Sequence, residues 1–185
     1  MIALWIVLGI IVILVFMVIG IYNSLIQLRN QVKNAWAQID VQLKRRHDLI
    51  PNLIETVRGY MTHERGTFEA ITQARSNAMS ANTIADKVQA EGVLGGLMGK
   101  LQVAVEAYPD LKANQNFLAL QEELTSTENK ISYSRQAYND SVLFFNNKKQ
   151  VFPSNIIAGM FNFQDEVFFE IQDQAEKAVP KVSFS

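Results

Sequence analysis

Metal binding is the first chemistry that the residue types in this sequence suggest, because His63 and Glu64 match the start of the zinc motif HExxH. In that motif two histidines one helical turn apart bind zinc, and the glutamate acts as the general base. Thr67 stands where the second histidine would be, so the second ligand is missing. A di-iron site would need Glu-x-x-His pairs, and no glutamate stands three residues before either His47 or His63. With no cysteine in the chain, we predict neither a metal site nor a cofactor.

The glycine cluster from Gly92 to Gly99 is the next candidate, because glycine-rich loops bind phosphate groups. No strand-like segment precedes the cluster, and Lys100 is not followed by serine or threonine, so the P-loop and dinucleotide-binding contexts are both absent. We expect a helix whose small residues let another helix approach closely. A flexible tip used in contacts between copies is the alternative, because each glycine weakens a helix by about 1 kcal/mol.

The polar residues with the most distinctive placement are Glu128 and Arg135, which are seven residues apart on the same helix face as Tyr138. Buried charges there would need partners on other helices. The candidates are Asp40, Arg46, Glu64 and Arg75. Such a network costs stability but can fix the register of helices, and we predict this structural role, with ligand binding or catalysis as the alternative. No nucleophile accompanies these residues together with a base and a group that orients it, so the chain is predicted not to be an enzyme.

Helices must position these residues, because apolar side chains recur with a helical period almost everywhere after Tyr22. The most regular stripe repeats every seven residues and consists of Phe117, Leu124, Ile131, Tyr138 and Phe145. A repeat of this kind indicates helices that pack nearly parallel to their neighbours. We therefore expect an all-α protein in which an N-terminal transmembrane helix precedes an antiparallel, up-and-down bundle of four helices.

Pro51 leaves two arrangements of this bundle open. If the chain reverses there, with Asp48 as the N-cap, the proline occupies a first helical turn and costs nothing. The four helices would then be roughly 22–47, 49–79, 84–108 and 110–149. If the helix instead continues through Pro51, it loses a hydrogen bond at a cost of about 3 kcal/mol, and one long kinked helix carries a shorter hairpin. We favour the reversal.

The first 22 residues are predicted to form a membrane anchor. The run from Ile2 to Ile21 has no charge and no proline, and at about 1.5 Å per residue it matches the thickness of about 30 Å of a bilayer core. Trp5 and Tyr22 flank the run as interfacial anchors. We divide the chain into an anchor (1–22), the antiparallel bundle (23–150), an aromatic-rich segment (151–178) and a loose tail (179–185).

The aromatic-rich segment is expected to be buried as a cap on the bundle. The alternative is that it lies near the membrane or on a partner protein, because exposed aromatic patches mark interaction surfaces. Arg29 and Lys33 follow the anchor and no basic residue precedes it, so the positive-inside rule favours a cytoplasmic domain over a periplasmic or extracellular one. The net charge of -1 argues against a nucleic-acid partner. The basic run from Lys44 to His47 is expected to be solvated or to form ion pairs within the bundle.

Six separated motifs carry a family resemblance. They are the segments Leu28–Trp36, Ile39–Leu53, Tyr108–Ala113, Thr127–Ile131, Arg135–Asn139 and Phe152–Asn155. Together they resemble the LemA family of bacterial membrane proteins, from the anchor to about Glu170. The resemblance implies a single-pass protein of the inner membrane with an antiparallel helical bundle and no established enzymatic activity. It also implies an association with membrane organisation in magnetosome-forming bacteria, and a neighbourhood of membrane proteases.

These residues and motifs favour two functions. The first is a non-enzymatic, membrane-anchored scaffold or adaptor whose bundle presents a surface to protein partners, and self-assembly into a homo-oligomer is one form that this could take. The second is a binding module for a small ligand or a peptide in the bundle core, using residues around Glu128, Arg135 and Tyr138. The lipid bilayer is a partner in either case.

Overall fold

The computed structural model describes residues 1–169, and this part of the chain contains helices and no strand. The helices are α1 (Ile2–Arg58), α2 (Arg65–Ser80), α3 (Ile84–Val105), α4 (Pro109–Lys112), α5 (Gln115–Gln150) and α6 (Ser154–Met160). The predicted all-α architecture is confirmed. The predicted tail at 179–185, and the end of the predicted segment 151–178, lie outside the described residues.

Helix α1 continues through Pro51, so the predicted chain reversal at this proline, with helices at 22–47 and 49–79, is wrong. Proline has no N–H to donate to the carbonyl four residues before it, which here belongs to His47. Arg75 on α2 supplies the missing donor, because its Nε lies 2.6 Å from the His47 oxygen. The next turns of α1 are anchored by burial of Ile50 and Val57. A tertiary hydrogen bond and core packing thus offset the local cost of the proline.

Residues 41–131 form one compact unit, which holds the end of α1, the helices α2 to α4 and the start of α5. The end of α1 and the start of α5 run antiparallel, since Arg45 pairs with Glu123 at 2.6 Å and Tyr60 accepts a hydrogen bond from Asn114 at 3.0 Å. Helices α2 and α3, which lie between α1 and α5 in the sequence, form a hairpin. The predicted antiparallel, up-and-down arrangement is therefore observed, with the first turn between helices after Arg58 rather than at Pro51.

The bundle core is apolar and continuous across these four helices. Its nearly fully buried side chains are Ile50, Val57, Met61, Ile71, Ala78, Leu94, Leu101, Val105, Leu111 and Phe117. Thr83 ends the turn before α3, where its Oγ1 accepts a hydrogen bond from the backbone N–H of Asp86 at 3.0 Å. This is a standard N-cap, and it fixes where α3 begins.

Residues 1–40 and 132–168 form a second compact unit. On α1 the buried side chains Leu25, Val32 and Ile39 recur every seven residues, as Tyr138 and Phe145 do on α5. Repeats of seven on two helices are typical of coiled-coil packing. Within the described residues, α1 is the one helix long and apolar enough to cross a membrane, and its most apolar stretch is not buried in the protein.

The chain after α5 packs back onto this second unit. The Phe163 ring lies 6.2 Å from that of Phe145 and 5.9 Å from that of Tyr22. Lys149 and Asp165 form an ion pair at 2.6 Å. In this aromatic-rich segment, Ile157 and Phe163 are buried, whereas other apolar side chains are exposed to solvent.

Candidate functional site: a buried polar cluster in the bundle

A group of charged and polar side chains lies inside the unit formed by residues 41–131. We call it the Arg46 cluster, and it consists of Arg46 and His47 on α1, Arg75 on α2, Glu91 on α3 and Glu128 on α5. Each of the four long helices of the bundle contributes at least one member. The cluster is therefore positioned by tertiary packing and not by any one segment of sequence.

Helical register carries these residues into the core. On α1, Arg46 and His47 lie between the buried Leu43 and Ile50, so they occupy the core-facing side of the helix. On α3, Glu91 is one turn before the buried Leu94. Arg46 is 5% exposed, and His47 and Glu91 are each 6% exposed. Charged residues buried to this degree are almost always paired.

Arg46 is the centre of the hydrogen-bonding pattern. Its Nη1 donates to both carboxylate oxygens of Glu128, at 2.9 and 3.1 Å. Its Nη2 forms a direct ion pair with Oε2 of Glu91, and the other oxygen of Glu91 lies 2.8 Å from Nε2 of His47. Both oxygens of Glu91 are thus engaged, while the side chain of Glu128 is half exposed. The cluster extends from the core to the solvent at α5.

The cost of dehydrating these charges is large, so burial of the cluster adds little net stability. A buried ion pair often gains little over apolar packing of the same shape, but loss of one partner costs about 3–5 kcal/mol because the other charge stays buried. A shifted helix register would separate Arg46 from Glu91 and Glu128. The predicted role of fixing the register of the helices is compatible with these contacts.

The geometry does not favour proton-transfer chemistry. A general base needs an oxygen or nitrogen directed toward a substrate, whereas both oxygens of Glu91 contact side chains of the protein. Arginine stays protonated in proteins, so Arg46 cannot act as a base. Within residues 1–169 no three His, Asp or Glu side chains are placed to hold a metal ion.

An open groove of about 270 Å³ lies beside the cluster, between α3 and α5. Its lining is mostly apolar and includes Leu53, Met98, Leu101, Phe117 and Leu124, together with Gly95, Gly99 and Glu128. Glu128 therefore belongs to both the Arg46 cluster and the groove.

Within residues 1–169, no other helix covers the α3 glycines. A Cβ atom built on Gly92, Gly95, Gly96 or Gly99 would meet nothing within 4 Å. Leu94 and Leu101 are buried on the opposite side of α3, so the glycines point away from the core. The expected close approach of another helix is therefore not observed within residues 1–169. The alternative, a flexible tip, is wrong, since all four glycines lie in the helix.

Comparison with known proteins decides the family. The model of the LemA family matches residues 35–184, which is most of the chain. The chain belongs to the LemA family.

Individual relatives are similar over long stretches of this LemA-family chain. Protein LemA of Metamycoplasma hominis is 29% identical over 161 residues, which cover 85% of this chain and 73% of that protein. Magnetosome protein MamQ 2 of Paramagnetospirillum magneticum and magnetosome protein MamQ of Magnetospirillum gryphiswaldense are each 19% identical. Both alignments cover 80% of this chain and 64% of the MamQ protein, so MamQ is the longer protein.

The structure brings together three of the residues predicted for a buried network in this LemA-family chain. Arg46 and Glu128 form an ion pair, and Arg75 joins the same cluster through the His47 carbonyl. Glu64 is elsewhere, at the start of α2, where its carboxylate accepts a hydrogen bond from the Thr67 hydroxyl at 3.2 Å. The remaining three predicted residues belong to the other unit and are Asp40, Arg135 and Tyr138.

Tyr138 is fully buried in that second unit. Its hydroxyl donates a hydrogen bond to the Val167 carbonyl at 2.7 Å, and its ring packs edge-on against Trp36. Burial, and after it the negative charge of Glu166, raise the pKa of Tyr138 from 10.0 to about 12. The phenol is therefore neutral and holds the segment after α6 against α5. Arg135 is half-buried and Asp40 is exposed in the same unit.

The two predicted interfacial residues have different surroundings. Trp5 is exposed on the apolar stretch of α1. Tyr22, at the end of that stretch, is half-buried and its ring contacts Phe161 and Phe163.

Two members of the Arg46 cluster, His47 and Glu91, were not among the residues predicted for the buried network. For His47, an ion pair within the bundle was one of the two expectations for the basic run from Lys44 to His47. The signal for His47 is its position between apolar residues seven apart, Leu43 and Ile50. The signal for Glu91 is its position one turn before Leu94, on the same face of α3 as the apolar stripe. A strongly polar residue at a core-facing position predicts a buried polar contact, and both residues occupy such positions.

Proposed function

We propose that this LemA-family chain is a membrane-anchored, non-enzymatic helical scaffold or adaptor of a bacterial inner membrane. In this proposal the apolar stretch of α1 crosses the bilayer, and the bundle of residues 41–131 presents a surface to protein partners. The length of the apolar stretch and its exposure support the anchor. The engagement of the buried charges with one another supports a role without catalysis.

The observation that carries the proposal is the exposed glycine face of α3, formed by Gly92, Gly95, Gly96 and Gly99. Each glycine in a helix interior costs about 1 kcal/mol relative to alanine, and no contact within the described chain requires any of them. Small residues spaced one turn apart let the backbones of two helices approach closely. A face that weakens its own helix and remains uncovered fits a helix supplied by a partner protein.

The adjoining groove is open to solvent, which suits the same kind of partner. Pockets for small molecules usually enclose about 300–1,000 Å³, and this groove encloses about 270 Å³ and is open. A helix lying on the glycine face could insert apolar side chains between Met98 and Phe117. Association of this kind gains from burying aliphatic and aromatic surface.

Site-specific cross-linking in cells tests the proposal. A photoreactive amino acid would replace Gly96 on the glycine face, and a matched control would carry it at Glu55, which is exposed on α1. Adducts of defined mass should form from position 96 and not from position 55. Mass spectrometry of the adducts distinguishes a second copy of this chain from a different protein, including a membrane protease. A monomer in mild detergent, together with no adduct from position 96, would refute the proposal.

A binding module for a peptide or small ligand is the second candidate, because Glu128 places a half-exposed carboxylate in the apolar groove. This arrangement suits a basic peptide with an apolar side chain. Peptide-library selection against the detergent-solubilised chain should enrich such peptides, and Glu128→Gln should weaken their binding. If the same peptides were enriched equally by the Glu128→Gln variant, Glu128 would have no part in peptide binding.

The bundle is proposed to lie in the cytoplasm, on the basis of Arg29 and Lys33 after the apolar stretch. Because the chain has no cysteine, a single cysteine at the exposed position Tyr133 on α5 reports the side of the membrane on which the chain after the apolar stretch lies. A membrane-impermeant maleimide should label it in broken cells and leave it unlabelled in intact spheroplasts. Labelling in intact spheroplasts would place the bundle outside the cytoplasm.

A further inference from the structure

The outer face of α6 is apolar and exposed, and so are the residues just before and after this helix. We call this surface the α6 patch, and it consists of Phe152, Ile156, Met160 and Phe161. Their exposed fractions are 79%, 53%, 72% and 52%. Phe152, Ile156 and Met160 are spaced by four residues, so the last two share one face of α6. No charged residue lies between Lys149 and Asp165, so no charge interrupts the patch.

The patch lies at the level where the apolar stretch of α1 ends. The ring of Phe161 is 4.7 Å from that of Tyr22, and the ring of Phe163 is 5.9 Å from it. Tyr22 directly follows the apolar run that ends at Ile21. All of these residues belong to the same compact unit, so the contact fixes the height of α6 along α1.

The opposite face of α6 is fixed to the protein. Ile157 and Ala158 are buried, and the Lys149–Asp165 ion pair closes the base of the segment at 2.6 Å. The Asn146 side chain donates to the Glu166 carbonyl at 2.9 Å and accepts from the Glu166 N–H at 3.0 Å. Because the inner face is anchored in this way, the exposed side chains are presented by a fixed segment and are not simply unpacked.

We propose that the α6 patch is inserted into the headgroup region of the same membrane that α1 crosses. This inference rests on the membrane anchoring proposed above and adds a second contact with lipid. Short apolar surfaces bind at a depth of about 5–10 Å, near the boundary of the headgroups and acyl chains. The rings of Phe152 and Phe161 suit this region, where aromatic side chains are enriched. The bilayer is favoured over a protein partner because α1 already brings the membrane to this height.

The absence of native cysteine allows a direct test with single labels. The full chain would carry one environment-sensitive fluorophore on Ile156→Cys or on Met160→Cys and would be reconstituted in lipid nanodiscs. Lipids with a nitroxide near the headgroup or near the methyl end of the acyl chain would quench the label according to its depth. Val12→Cys in the apolar stretch is the positive control, and Tyr133→Cys, exposed on α5, is the negative control.

The expected result is strong quenching of the labels at 156 and 160 by the headgroup nitroxide and weaker quenching by the deep one. The label at 12 should show the reverse order, and the label at 133 should resist both quenchers. If the label at 12 is quenched while those at 156 and 160 behave like the one at 133, the α6 inference is overturned and the anchor stands. If the label at 12 also resists both quenchers, the membrane anchor of the proposed function fails, and the α6 inference fails with it.

Discussion

Replacing Gly95 and Gly99 by alanine should stabilise the bundle and weaken its binding to partners. Both glycines lie inside α3, and an added Cβ would meet nothing within 4 Å, so the substitutions cause no steric clash. Each should gain about 1 kcal/mol in the free energy of unfolding from helix propensity alone, or about 2 kcal/mol for the pair. For a chain of this size about 1 kcal/mol corresponds to a shift of roughly 2–4 °C in Tm.

The assay is a thermal melt of the detergent-solubilised full chain, followed by circular dichroism, with the cross-linking experiment run in parallel. Tm should rise by about 4–8 °C for the double variant, while the adducts from position 96 decrease, because two methyl groups keep a partner helix at a greater distance. Gly66→Ala on α2, where an added Cβ is also unobstructed, is the control and should leave the adducts unchanged.

Two results would contradict the proposed role of the α3 glycines. A lower Tm for the double variant would mean that the glycine face is covered within the monomer. A higher Tm with undiminished adducts would show that the glycines have no part in binding. If the α3 glycines served only the core or only the solvent-exposed surface of this chain, the double variant would not gain stability and lose partner binding together.

Three further predictions concern the polar groups. Glu91→Leu should cost about 3–5 kcal/mol in urea unfolding, because it leaves Arg46 buried with one fewer partner, whereas Glu123→Gln at the exposed pair should cost less than about 1 kcal/mol. Arg75→Met should cost about 1–3 kcal/mol by leaving a buried carbonyl without a donor, and less in a Pro51→Ala background, where the restored backbone N–H supplies that donor. Because the pKa of Tyr138 is raised, the folded state retains a proton that the unfolded state loses. The free energy of unfolding should therefore fall as pH rises from 10.0 to about 12. Tyr138→Phe should remove this pH dependence.

Each of these predictions has a result that contradicts it. Equal costs for Glu91→Leu and Glu123→Gln would show that the Arg46 cluster is not sealed from solvent. Additive effects of Arg75→Met and Pro51→Ala would mean that the two residues are not coupled through the His47 carbonyl. An unchanged alkaline slope in Tyr138→Phe would assign that pH dependence to another group.

The helical architecture followed from the sequence because helical periodicity is a local property. The seven-residue stripe from Phe117 to Phe145 is buried at all five positions, as its spacing predicts. Pairs within the Arg46 cluster were only partly predictable. Charge and helix face identified Arg46 and Glu128, but which residues of separate helices meet depends on how those helices are aligned.

Pro51 shows the limit of local reasoning most clearly. The local cost of about 3 kcal/mol favours a helix end, and no nearby residue indicates a compensating group. The compensation comes from Arg75, 28 residues away from His47 in the chain, and from packing of the following turns. The continuity of α1 was therefore a property of the folded bundle and not of the segment itself.

The apolar run at the start of α1, the all-α class and the start of α3 followed from the sequence, since each depends on neighbouring residues alone. The predicted helix 110–149 is wrong at its start, because the chain forms the short helix α4 (Pro109–Lys112) and begins α5 only at Gln115. The tertiary structure decided the continuity of α1, the membership of the Arg46 cluster, the outward direction of the α3 glycines and the height of the α6 patch beside Tyr22. These features depend on which helix faces meet, and long-range packing sets the free energy of those contacts. A pattern of residue types fixes the face that a helix can bury, and only the folded chain specifies the surface that covers it.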